Sequence, residues 1–385
     1  MTKGIVVIDQ YFPPDTSATA RIVADFARAC RSAGAPLTVV CGYPSYDPST
    51  RPAWRPLRRI REDGVTRYVI GSTGFDRRGT VGRVWNYMTF MVGAALVVPF
   101  LVTRAAVVVM TDPPMAPLLA WWAKRAARPA SVTIWVQDVH PDFLVATGVL
   151  RDGVVVRVWK RWLAASLRGA DYVVVLGRDM ERRVRAVADG PMRIVHNGWS
   201  DVGAVVPPSI RDDGPLRIMH LGNVGFAGPW SSVLTAARSL VGVAEFVFVG
   251  GGAAQDDFGD APANVSMLPR VPHEDVARIA ADADLLLVGT RAGSEGLVVP
   301  SKGYEAMAMA RPLLVVAVPD NEMRLLVEEH ACGITVDDDP AAIVAALNAV
   351  SRPDLAVMAR RAHAAAPRYA RADQFASLVS LLWSC

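Results

Sequence analysis

Glu245-Phe246-Val247-Phe248-Val249-Gly250-Gly251-Gly252 is an apolar run that ends in three residues without side chains. The run reads as a strand, and the glycines leave bare backbone at its end, open to close approach. Further on, Val299-Pro300-Ser301-Lys302-Gly303-Tyr304-Glu305 sets a cation and a carboxylate three residues apart where a helix is expected to begin. A cation suits a diphosphate, and a carboxylate suits a pair of sugar hydroxyls. Together they suggest half of a nucleotide-sugar site.

Outward from this stretch, strand and helix patterns alternate through nearly the whole chain, which predicts parallel sheets flanked by helices, an α/β fold. Strands are expected at 216–221, 245–249, 265–268, 285–288, 313–317 and 333–336, with helices between them. A first series lies upstream, with strands at 5–8, 37–41, 65–70, 106–110, 131–136, 172–176 and 193–196. A chain of 385 residues exceeds one ordinary core, so two domains are expected. Residues 1–202 form the first and 216–369 the second. The segment 203–215, with Pro207, Pro208 and Pro215, reads as the linker. The apolar terminal helix, about 370–385, is expected to pack back across the first domain.

Hydrophobic residues make up 52% and charged ones 20%, which excludes a disordered chain. The net charge of +4 is too small to favour nucleic acid as a partner. Its distribution is uneven: nine arginines between Arg51 and Arg83 face only Glu62, Asp63 and Asp76, so that segment is +6 and the rest about −2. Such a patch favours either an anionic membrane surface or a solvated loop. Directly after it, residues 84–103 carry no charge and are long enough to span a bilayer. A span there would put the strands at 65–70 and 106–110 on opposite sides of the membrane. A helix buried in the domain, or resting in the membrane interface, is therefore expected. Four scattered cysteines without metal or disulfide spacing suit a reducing, cytoplasmic setting, and the basic patch beside the apolar segment adds an expected peripheral contact with the inner face of the membrane.

The first strand lacks a G-x-G-x-x-G turn, and no Walker loop, zinc pattern or nucleophile elbow occurs. Asp337-Asp338-Asp339 precedes a helix, where acidic caps are ordinary, so no metal site is assigned. The motifs that do occur carry a resemblance: Tyr11-Phe12-Pro13-Pro14, Arg83-Val84-Trp85-Asn86-Tyr87, Thr111-Asp112-Pro113-Pro114, Gln137-Asp138-Val139-His140-Pro141-Asp142, His196-Asn197-Gly198, Leu221-Gly222-Asn223 and Pro300-Ser301-Lys302. In this order the chain resembles the family-4 retaining glycosyltransferases of GT-B fold, in the bacterial branch of lipopolysaccharide, capsule and fucosamine-type transferases.

That resemblance implies two Rossmann-like domains facing across a cleft. It also implies metal-independent, retaining transfer from a nucleoside diphosphate sugar, UDP-linked, to a hydroxyl acceptor, either a polyprenyl-linked or cell-envelope precursor or a secondary metabolite. Glu305 would accept from both ribose hydroxyls, and Lys302 would meet the diphosphate with help from Ser301 and the helix start. Gly222, Asn223, Gly250 and Gly251 would shape the donor loops, with Arg270 and Val271 at the base. Asp138 would orient or deprotonate the acceptor hydroxyl. Ser17, Gln137, His140 and Asn197 would line the acceptor side of the cleft. Two departures stand out. The loop after Gly222 lacks the family's cation, so Lys302 would carry more of the diphosphate charge. The family's upstream glutamate falls on Leu297, leaving Glu295 two residues away as the nearest catalytic carboxylate. A nucleotide-sugar epimerase of the same fold and a non-catalytic membrane-associated scaffold are the rival readings.

Overall fold

The computed structural model describes residues 4–44, 53–75, 80–202 and 213–383. Arg51, Arg77, Arg78, Cys385 and all but the last three residues of the expected linker lie outside the described residues. Valine- and isoleucine-rich runs form an eight-stranded sheet from β1 (Ile5–Ile8), β2 (Leu37–Gly42), β3 (Leu57–Glu62), β4 (Val65–Ile70), β5 (Ala106–Met110), β6 (Ser131–Trp135), β7 (Tyr172–Val175) and β8 (Met192–Ile194). Its order is β3-β4-β2-β1-β5-β6-β7-β8. A second, six-stranded sheet contains β9 (Leu216–Leu221), β10 (Ala244–Val249), β11 (Val265–Leu268), β12 (Leu285–Gly289), β13 (Leu313–Val316) and β14 (Gly333–Val336), in the order β11-β10-β9-β12-β13-β14. Every pairing is parallel except that of β3 with β4. The strand order reverses beside β1 in one sheet and beside β9 in the other, and open α/β sheets bind ligands at such points.

The helices are α1 (Ala18–Ser32), α2 (Thr80–Leu101), α3 (Pro117–Ala126), α4 (Asp142–Ala146), α5 (Val154–Gly169) and α6 (Arg178–Arg185) in the first half. The second half adds α7 (Trp230–Ser239), α8 (Val276–Ala280), α9 (Lys302–Ala308), α10 (Glu322–His330), α11 (Pro340–Ala349), α12 (Arg352–Ala365) and α13 (Arg371–Trp383). The last helix lies against α1, and Phe375 joins Phe26 and Trp135 in a cluster of edge-to-face rings. Arg371 fastens it: buried, it pairs with Asp25 of α1 at 2.6 Å and donates to the carbonyls of Asn197 and Gly198.

Strand β3 was not anticipated, because its three arginines disguise it as a solvated loop. It is an edge strand, where charged side chains are tolerated and discourage pairing with another chain. The missed signal was Asp63-Gly64: both residues have positive φ, 50° and 78°, as a tight hairpin turn requires.

Helix α2 is neither fully buried nor separated from the sheet. Asn86, Phe90, Ala94 and Val98 face inward, spaced by four residues. A Cβ at Gly93 would collide with Ile70, so the helix rests directly on β4. The opposite stripe, Val81, Trp85, Met88, Val92, Leu96 and Phe100, is exposed, Phe100 at 87%. By length and composition α2 could cross a membrane, but β4 and β5 on either side of it belong to one sheet. Helices α2, α3 and α5 pack side by side, and the latter two add exposed Trp121, Trp122, Val155 and Trp162.

Candidate active site

The second sheet positions its site by backbone contact. Gly250 (φ +134°) follows β10 and Gly222 (φ +136°) follows β9; a Cβ on Gly250 would strike the Gly222 carbonyl. The Gly222 amide donates to Val249 at 2.9 Å and the Val224 amide to Gly251 at 3.2 Å, so the two loops are laced together. Over Gly222 lies the stem of Lys302, whose Cε would be 3.0 Å from an added Cβ. Lys302 Nζ donates to Glu305 Oε2 at 2.8 Å, and Glu305 is buried where the cation is not. Both side chains border a small hollow with Leu221, Val288 and Met309, at the β9–β12 reversal of strand order. Asn223 and Arg270 are exposed beside these loops, while Val271 packs against the core. Ser301 precedes α9 without capping it through its side chain.

In the first sheet, Gln137 and Asp138 continue from the end of β6, and both amides donate to Thr111 Oγ1, at 2.9 and 3.3 Å. The Asp138 carboxyl has no hydrogen-bond partner among the described residues. Desolvation, and then the nearby charge of Asp112, push its pKa up to about 7. Although deeply packed, Asp138 retains some contact with solvent. Asn197 Nδ2 donates to Gln137 Oε1 at 2.8 Å, making a buried pair at the sheet edge. His140 is buried, and desolvation lowers its pKa to about 4, so its ring is neutral. Ser17 is occupied as a helix cap, accepting from the Ala20 amide at 3.0 Å.

Chain segment 291–301 brings the halves together. Asp138 and Val298 form an antiparallel bridge, and the Val139 amide donates to the Leu297 carbonyl at 2.9 Å. Leu297 is fully buried where the resemblance would place a glutamate. Glu295 has a buried Oε2 without a partner, and no hydrogen bond or ion pair ties it to Lys302, Glu305 or Asp138 among the described residues. Sequence reading missed the clamp beside this loop. Asp179 Oδ2 accepts from the amides of Gly296 and Glu322, both at 3.2 Å, and Arg178 Nε pairs with Glu322 at 3.0 Å. Tyr304 Oη reaches His196 Nδ1 across the same junction at 2.9 Å. No local pattern marks these residues, because each acts through a partner more than a hundred positions away. Asp337 pairs with Arg324, Asp338 accepts from the Ala292 amide and Asp339 caps α11, so all three serve protein partners.

Comparison with known proteins agrees with this geometry. Residues 17–198 match the model of the glycosyl transferase 4-like domain, and residues 220–352 that of glycosyl transferases group 1. Sucrose-phosphate synthase from Thermosynechococcus elongatus superposes with a TM-score of 0.74 at 14% identity, covering 99% of this chain and 98% of its own. The chain is a glycosyltransferase of the GT-B type. HepE from Anabaena, solved with UDP and glucose, superposes on the transferase with a TM-score of 0.67 at 12% identity, covering 99% of both chains. The probable glycosyltransferase WbjE of Pseudomonas aeruginosa is 29% identical to it over 271 residues, 66% of this chain and 68% of the relative.

Proposed function

We propose that the transferase moves a sugar, with retention at the anomeric carbon, from a UDP-linked donor to a hydroxyl of a cell-envelope glycan precursor held at the cytoplasmic face of the membrane. The observation that carries this reading is the Lys302–Glu305 pair over the laced glycine loops, a few residues along the chain from Val298, which bridges to Asp138. Glu305, buried and fixed, holds the two ribose hydroxyls. Lys302, released from Glu305 by the incoming nucleotide, neutralises the charge that grows on the departing diphosphate. The bond from anomeric carbon to phosphate oxygen breaks as the acceptor oxygen bonds on the same face. The acceptor proton passes to the leaving phosphate, with Asp138 orienting the hydroxyl. The UDP and glucose held by HepE, a distant neighbour, support a uridine donor. The transferase family matches favour this reading over an epimerase or a non-catalytic scaffold.

Calorimetric titration with a panel of nucleotide sugars tests the donor assignment. A uridine-linked sugar is expected to bind at least tenfold more tightly than its guanosine or thymidine counterpart. If no nucleotide sugar binds, the assignment is wrong.

The membrane part of the proposal rests on the face formed by α2, α3 and α5. Its exposed tryptophans and aliphatic side chains lie on helices that also carry exposed Arg125, Arg157 and Arg161, with exposed Arg104 just after α2, and the Arg125 guanidinium lies 4.5 Å from the Trp121 ring centroid. Aromatic and basic side chains around an apolar face suit an anionic bilayer surface. Flotation with vesicles containing anionic phospholipid should capture the protein at low salt, and Leu96→Ser with Phe100→Ser should release most of it. Equal flotation of both proteins, or none of the wild type, rejects the idea.

A further inference from the structure

A cavity of about 270 Å³ lies within the first domain, between the end of β6 and helices α5 and α6. Its walls are apolar, with Val136, Leu163, Leu167, Val184 and Val187 prominent. One part of its lining is polar and sheltered: Asp138 and His140. The His140 ring is stacked on Trp159 with centroids 6.5 Å apart and held edge-on by Phe143 at 5.8 Å. Its Nδ1 is buried without a hydrogen-bond partner. An orphaned buried nitrogen held in one orientation is costly unless a ligand completes it.

The cavity's more exposed lining is cationic. Lys160 and Arg183 approach Asp142 at 3.1 and 3.4 Å, so two cations share one carboxylate and leave a net positive charge. The helix that supplies Lys160, Leu163 and Leu167 also carries exposed Val155 and Trp162, on the outer apolar face. We infer that this cavity is an acceptor subsite for a sugar that carries a phosphate group: the ring lies against the apolar wall, a hydroxyl meets Asp138 and His140, and the phosphate meets Lys160 and Arg183. The volume is near the lower end for ligand pockets and suits one ring rather than an oligosaccharide. This inference rests on the proposed transfer reaction and on Asp138 facing the acceptor.

The test compares three acceptors bearing the same sugar: a neutral methyl glycoside, a soluble glycosyl phosphate, and a glycosyl phosphate linked to a lipid in vesicles. Both phosphate-bearing acceptors should show a KM at least tenfold below that of the methyl glycoside. Lys160→Ala with Arg183→Ala should remove most of that difference, since hydrogen bonds to a charged group account for about tenfold or more in affinity. Leu163→Trp, which fills the cavity, should raise KM for all three. Thermal melting of each variant serves as the folding control, because all three substitutions lie in the first domain, and donor affinity by calorimetry checks that the other domain is unaltered. A lipid-linked acceptor that outperforms the soluble phosphate assigns the phosphate to a membrane carrier, and equal performance assigns it to a free sugar phosphate. Equal KM for neutral and charged acceptors, or a double variant that retains the wild-type preference, overturns the inference. If no donor binds to the wild type, it is the transfer reading that fails instead.

Discussion

Lys302→Ala should lower transfer by about 10²–10³-fold while the nucleotide continues to bind, and Glu305→Ala should weaken nucleotide binding about tenfold or more. The asymmetry follows from what each group meets. The diphosphate is already anionic in the bound donor, but a further negative charge develops on it as the sugar departs, so the cation over Gly222 acts more strongly in the transition state than in the ground state. The ribose hydroxyls are the same before and after departure, so a carboxylate holding them contributes to affinity. Because the two side chains are joined at 2.8 Å, their effects should not add. Lys302→Ala also leaves a buried carboxylate without its counterion, so Lys302→Arg, which keeps the charge, is the companion variant and should retain measurable transfer. Single-turnover rates and calorimetry separate the two roles. Wild-type rates for Lys302→Ala would refute the site, and so would unaltered nucleotide affinity for Glu305→Ala.

The second large effect belongs to Asp138. With its pKa raised to about 7, the carboxyl is mostly protonated at pH 6 and mostly ionised at pH 8. Because the ionised form is the one that accepts from and orients the acceptor hydroxyl, kcat/KM should rise with pH through a midpoint near 7. Asp138→Asn should abolish that rise and lower kcat/KM by about 10²–10⁴-fold. Stability should move the other way. A folded-state pKa above the ordinary 3.8 means that the fold favours the protonated acid. The stabilising contribution is present below about pH 4 and is lost as pH rises through 7. Asn removes the charge, so at pH 8 the variant should be more stable than the wild type by about 2 kcal/mol. This is less than the full linkage value, because Asp138 keeps some contact with water. At pH 3, below the unfolded-state pKa, the two should melt together. Asp112→Asn, by removing the second cause of the shift, should move the activity midpoint to lower pH. A flat pH profile in the wild type, or an Asp138→Asn variant with full activity, removes Asp138 from the mechanism.

Much of the fold was legible because its signals are local. A run such as Val107–Val109 can hardly be anything but a buried parallel strand, and the glycines at 222 and 250 mark where bare backbone is needed. Glu305 and Lys302 were legible as a pair because three residues is close to one helical turn. The segment of strand β3 was weighed only as a basic surface patch or a solvated loop because arginines dominate it, although Asp63-Gly64 carried the hairpin. Glu295 was singled out as the carboxylate nearest to Leu297, where the family resemblance places a glutamate; antiparallel contacts between 297–298 and 138–139 set where its loop runs.

The sequence by itself determined the two alternating series and the residues at each strand end, since periodicity, turn chemistry and glycine requirements act over a few residues. Only the tertiary structure decided that Asp138 meets Val298, that Asp179 fastens the halves, and that one stripe of α2 stays bare. It also decided the poise of Asp138 near neutrality. These depend on desolvation and on partners distant along the chain, and no local pattern encodes which charges will be taken out of water together.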